Sequence, residues 1–162
     1  MRLNLASLAL FPMLLLGCSA PGEDFAADGS CSGVKVEINF SGQSDNLSRC
    51  VNIAEGGAIA KDVLASAGIT IEGTKAYGDQ VICRVNQIPS ETEPLRVEGE
   101  EPYVEACDDM PAAFAYWGLW VRSSDQVEWE YAMEGISSLQ LTPGQSIGLA
   151  FSLAGEAPTP TD

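Results

Sequence analysis

The chain has 162 residues, with 23 acidic against 8 basic side chains, a formal charge of -15 and no histidine. That charge repels nucleic acid and anionic headgroups, so recognition of either through a basic patch is excluded, and without imidazole there is no Ser-His or Cys-His nucleophile and no histidine metal site. The acids crowd into one loop rather than flanking a scissile bond, and Lys35, Lys61 and Lys75 stand in no Ser-Lys motif, so the chain reads as a non-enzyme.

The chain opens MRLNLASLALFPMLLLGCSA, with Arg2 followed by an apolar run from Leu3 to Leu16. That run is short and broken by Pro12, so residues 1–17 read as a signal peptide rather than a membrane span. Leu15-Leu16-Gly17-Cys18 resembles the lipobox of bacterial lipoproteins. The resemblance implies cleavage after Gly17 and lipidation of Cys18. The protein would then be extracytoplasmic, held to the bacterial cell membrane by its acyl chains alone. Loss of residues 1–17 removes Arg2 and no acid, which takes the formal charge from -15 to -16. Residues 18–30 are small, polar and acidic and read as a flexible tether; 154–162 have the same character and read as a disordered tail. The span between, 31–153, is the size of one domain.

Beyond Cys18 there are four cysteines, Cys31, Cys50, Cys83 and Cys107, an even number that suits an oxidising compartment. Three pairings are possible. Cys31–Cys50 and Cys83–Cys107 are expected, because each closes a short local loop. The spacings are too wide for a zinc site, and EGEEPYVEACDD lacks the alternating oxygens and turn glycine of a calcium loop, so neither metal nor cofactor is expected.

VKVEINF, 34–40, alternates apolar and polar residues as a half-buried strand does, SGQSDNLS is turn chemistry, and RCVNIA reads as a short returning strand. In GGAIAKDVLASAGIT the residues Ile59, Val63, Leu64 and Ala67 share a helical face, and Gly68 stands where a left-handed C-terminal cap is wanted. IEGTKAYGDQVICRV reads as two short strands broken by glycines. An acidic stretch follows, eight acids between Ser90 and Asp109 against Arg96 alone, and it reads as a solvated loop. FAYWGLWV, VEWEYAM and IGLAFSL are three further strands. One helix across one face of a mixed sheet makes the fold α+β.

Several of these strings, DVLASAGI after a glycine pair, VICRVNQIP, AYWGLWV, WEYA, Gly135-Ile136 and LTPGQSIGLAF, resemble the transcobalamin-like C-terminal domain family over most of residues 34–153. The resemblance is more specific in the second half than in the first. It implies a β-grasp-like mixed sheet with one main helix packed on one face. In vertebrate cobalamin carriers the related domain closes over the corrinoid, and in bacteria similar domains occur in exported, surface-anchored proteins. The acidic insertion between Cys83 and Cys107 departs from the family pattern.

Six of the twelve aromatic residues lie between Phe114 and Tyr131, including all three tryptophans. Alternation divides FAYWGLWV into Trp117, Leu119 and Val121, assigned inward, and Phe114, Tyr116, Gly118 and Trp120 on the opposite face. Trp129 shares a strand face with Val127, Tyr131 and Met133 and is assigned to the core. Tyr116 and Trp120 on either side of Gly118, with Trp117 beside them, are the candidate ligand-binding residues; the other reading is that all three tryptophans fill the core and rim. Two functions follow from these expectations. One is a lipid-anchored binding module for a corrinoid or another flat small ligand feeding an importer. The alternative is an envelope protein-protein interaction module that uses the same patch or a free sheet edge.

Overall fold

The structure is a computed structural model that describes residues 25–124, 128–156 and 158–160; the expected signal peptide (1–17), Cys18 and the tether as far as residue 24 lie outside the described residues. In chain order the elements are β1 (Val34–Asn39), β2 (Leu47–Val51), β3 (Ala58–Ile59), α1 (Ala60–Ser66), β4 (Ile71–Thr74), β5 (Gly78–Val85), β6 (Ala115–Arg122), β7 (Glu130–Tyr131), β8 (Gln140–Leu141) and β9 (Ser146–Leu153). Among the described residues the fold is mixed and sheet-dominated, with one short helix. The expected helix is present, but seven residues of it carry little of the structure beside three sheets.

Five strands form the main sheet in the order β2-β1-β9-β6-β7. β9 runs parallel to β1 and antiparallel to β6, and the β6 pairing extends over eight residues from Ala115–Leu153 to Arg122–Ser146. Alternation sends Val34, Val36, Ile38, Ile147, Leu149, Phe151 and Trp117 to one face, where all are buried. Val63 and Leu64 of α1 pack into the same cluster. Trp117 meets Phe40 edge-on at 5.4 Å and Phe151 at 5.1 Å, and its indole N–H donates to the Ile88 carbonyl at 3.0 Å.

Both ends of the helix are closed by main-chain groups. No side chain caps its start; the N–H groups of Ala60 and Lys61 instead donate to the carbonyls of Leu139 and Ile136. At the other end Gly68, at φ +74°, donates to Ala65, and the following Ile69 donates to Leu64. Those two bonds define a Schellman closure, with Ile69 buried beside the helix as such closures favour. The short ladder between β3 and β8 holds the Leu139 turn against the helix start. A two-residue ladder leaves no periodic signal, which is why neither strand is legible in the sequence.

β4 and β5 make a separate hairpin with a register shift at Gly73. A side chain at Gly73 would stand 2.3 Å from the Gly78 carbonyl oxygen, so only glycine allows this crossing. Both expected disulfides are present, Cys31–Cys50 and Cys83–Cys107, each with Cα atoms 5.6 Å apart. The second pins the acidic excursion to β5, and closing a loop of 24 residues contributes about 3 kcal/mol in a chain-entropy estimate.

The excursion is only partly the solvated loop that its composition suggests. Arg84, 5% exposed, donates to the Pro89 carbonyl at 3.0 Å, to the Glu72 carboxylate at 2.8 Å and to the Glu105 carbonyl. One buried guanidinium therefore fixes both ends of the insertion. Glu105 is buried as well, and its carboxylate accepts from the Tyr103 hydroxyl at 2.6 Å and from the Cys107 N–H at 2.7 Å. Glu98, Glu100 and Glu101 remain in solvent.

Two expectations are corrected on the second face of the sheet. Trp129 does not join the helix-side core, because VEWEYAM narrows to the two-residue β7 and Trp129 lies instead across Gly148. The tail is ordered at 158–160, where Pro160 is buried against that same glycine; its polar composition hides a proline that fits a position without a side chain.

Burial, then the Glu105 hydrogen bond and charge, push the Tyr103 phenol up to about 12 from 10.0. A folded-state value above the unfolded one stabilises fully below pH 10.0 and loses its effect as pH rises toward about 12. The stability advantage of wild type over Tyr103→Phe, read from urea midpoints, should therefore hold to pH 10 and shrink between pH 10 and about 12. A gap that stays constant across this window would remove the Tyr103–Glu105 contact as its source.

Candidate functional site

β7 is two residues long and pairs only with Trp120 and Val121 of β6. Below that point the sheet has no further strand among the described residues, and β6 faces the start of β5 across a groove. The groove is lined by Tyr116 to Leu119 of β6, by Asp79 to Ile82 of β5 and by the segment from Tyr131 to Ile136. The cavity measures about 410 Å³. A second hollow of about 330 Å³ shares Val81, Ile82, Met110, Tyr116 and Trp117 with it and extends it toward Pro111. Because the groove lies at a sheet edge, it meets residues from both faces of β6.

Three of the four candidate residues, Tyr116, Trp117 and Gly118, line the groove. Trp120 does not. It is 7% exposed, and the Tyr131 ring stacks on it with centroids 3.8 Å apart and planes 24° apart. The open platform expected of Tyr116 and Trp120 is thus closed by a cross-strand neighbour, since Trp120 and Tyr131 sit opposite each other in the ladder. Gly118 makes that closure fit. A side chain there would stand 3.1 Å from Trp120 Nε1 and 3.4 Å from Tyr131, so its absence leaves room for the indole to lie along the strand.

Tyr131 is the main groove residue that sequence reasoning did not single out, having placed it only on the same strand face as Trp129. It is 49% exposed and lines the groove together with Tyr116. Burial first, and then the Tyr116 hydroxyl, hold its phenol above the ordinary range. The signal was the alternation itself, which puts Tyr131 and Trp120 on facing strands once the short hairpin is recognised. Met110 and Met133 at the rim are largely exposed, and flexible thioethers suit a surface that adapts to what it holds.

The rim charges are acidic. Asp79 is paired with Lys61 of α1, whose ammonium this carboxylate keeps above its ordinary range, and Glu134 is exposed. Cys83, Glu105 and Cys107 bring a carboxylate and two sulfurs together, but the sulfurs are bonded to each other and the carboxylate already accepts two hydrogen bonds. Cys18, the candidate lipid attachment point, lies outside the described residues. Among the described residues no helix is long and apolar enough to cross a membrane.

No protein-family model, no curated protein and no solved structure matches the chain. The groove is therefore read from its own residues.

Because Trp120 is covered, Trp120→Ala should cost about as much as the core truncation Trp117→Ala, about 3–5 kcal/mol each in urea unfolding. Tyr131→Ala, which removes a half-exposed ring, should cost less, about 0.5–1.5 kcal/mol for the stacked pair. A Trp120→Ala protein with an unchanged midpoint would mean the ring lies in solvent.

Proposed function

We propose that the protein is an extracytoplasmic binding module, tethered by lipid at Cys18, that holds a flat amphipathic small molecule in the groove beside β6. The observation that carries this reading is the meeting of Tyr116, Trp117 and Gly118 with the half-exposed Tyr131 at the open end of the sheet. A groove that is apolar at its base and has phenol hydroxyls at its mouth suits a ligand with a greasy face and a polar edge. About 410 Å³ takes a small flat molecule whole or a corrinoid by one edge.

Further support comes from the fold and the compartment. A β1–β2 hairpin, a helix and a last strand inserted parallel to the first are features a β-grasp domain shares, in keeping with the transcobalamin-like resemblance. Two disulfides suit an oxidising compartment, as an exported protein requires. A lipid-anchored module of this kind would hold its ligand at the membrane for an importer.

Titrating cobalamin into the protein tests the ligand class: the corrin absorbance should shift and saturate, and Tyr131→Ala and Tyr116→Ala should weaken binding by about tenfold each. No shift with cobalamin or with simpler tetrapyrroles would end the small-ligand reading. Anchoring has its own test, since Cys18→Ala should abolish partition into detergent; unchanged partition would sink the lipoprotein assignment.

One observation favours a second reading. Among the described residues only Trp120 and Val121 of β6 have a ladder partner on the groove side; the Leu119 carbonyl accepts from Ala132 and the Ala115 N–H donates to Ala112, which leaves the short edge around Trp117 to pair with an extended segment of an envelope protein.

A further inference from the structure

Gly148 lies in the middle of β9, the best-paired strand of the sheet, where a glycine packs nothing and weakens the strand. Its surroundings explain it. A side chain at 148 would stand 2.2 Å from Pro160 Cγ and 3.2 Å from Trp129 Cη2. The missing side chain opens a cleft floored by the strand and walled by the Trp129 indole, and Pro160 fills it.

The cleft also has the polar groups that an extended proline segment needs. Asn39 Nδ2 donates to the Thr159 carbonyl at 3.0 Å, and the Ser152 hydroxyl donates to the Glu156 carbonyl. The Arg122 guanidinium lies 4.6 Å from the Trp129 ring centroid and steadies the indole. Trp129 Nε1 is buried and has no hydrogen-bond partner among the described residues. A Pro-x-Pro segment presents unpaired carbonyls and rings held at fixed φ, so it docks on aromatic walls with little ordering cost.

We propose that Gly148, Trp129 and Asn39 form a recognition cleft for proline-containing extended segments, which Pro158-Thr159-Pro160 occupies in cis and for which a Pro-x-Pro segment of a partner polypeptide competes. The cleft is separate from the groove beside β6. Trp120 stands between them, paired with Gly148 on one side and with Tyr131 on the other. The chain's own tail acts as a tethered competitor, so the cleft answers only to a partner segment that is longer, better matched or locally concentrated.

The test adds the free peptide Ala-Pro-Thr-Pro-Thr-Asp, the sequence of residues 157–162, to the full chain and to its Pro160→Ser variant, following backbone amide shifts by NMR. A docked tail has an effective concentration on the order of millimolar, so Pro160→Ser should take up the peptide about tenfold more tightly than wild type. Changes should centre on Gly148, Trp129 and Asn39. Adding Trp129→Ala to Pro160→Ser should abolish uptake. Should that protein fail to fold, Gly148→Ala in the Pro160→Ser chain makes the same test from the floor of the cleft. Equal uptake of Ala-Ala-Thr-Ala-Thr-Asp overturns the proposal. So does absence of uptake by Pro160→Ser at about 10 mM peptide, or full uptake by the Gly148→Ala form, because a purely structural tail would behave in those ways.

Discussion

The structure depends on one strand having neighbours on every side. β9 is paired along both edges, parallel to β1 and antiparallel to β6, and seven of its eight residues are buried. A strand in that position needs cover on two faces. The short helix, Phe40 and Trp117 supply one cover. The other is assembled from Trp120 beneath Tyr131, from Trp129 and from Pro160. Glu37 belongs to this second layer and is 1% exposed; Lys35 at 2.5 Å and Ser48 at 3.1 Å provide the partners without which a buried carboxylate is costly.

The helix-side core was legible because it obeys a single period. Val34, Val36 and Ile38 alternate cleanly, and the i, i+4 spacing of Ile59 and Val63, followed by Gly68, marks the helix and its end. The disulfide pairing was legible from loop length alone. The second face was not. Alternation shows that Trp120 points away from the helix but says nothing about what lies above it, and the covering residues come from a two-residue strand and from a tail whose composition reads as disorder. Glycines at 118 and 148 were the available clue, since each sits inside a long strand where a neighbour's ring needs the space.

The same economy shapes the functional surfaces. The excursion keeps most of its acids in water, buries Glu105 beside Arg84 and is bonded to β5 through Cys83–Cys107, so a segment that adds heavy negative charge also braces the hairpin forming one wall of the groove. The groove stays apolar beside it, with a single ion pair, Lys61–Asp79, joining its wall to the helix. Among the groove's lining residues the charges are Asp79, paired with Lys61, and the exposed Glu134. That arrangement preserves solubility without making a flat ligand displace buried ions.

The parallel pairing of β1 with β9 also sets an order of events for a chain that emerges from its N-terminus. β1 and β2 emerge early and can form a hairpin, yet the strand that belongs beside β1 arrives more than a hundred residues later, as Lys35 pairs with Ser146. A two-stranded ribbon is marginal by itself in water. The five-stranded sheet is therefore completed only when its central strand, β9, is available. Long-range closure of this kind is slow. Export of the kind proposed above would make use of that slowness, because a chain that closes its sheet last stays extended longest.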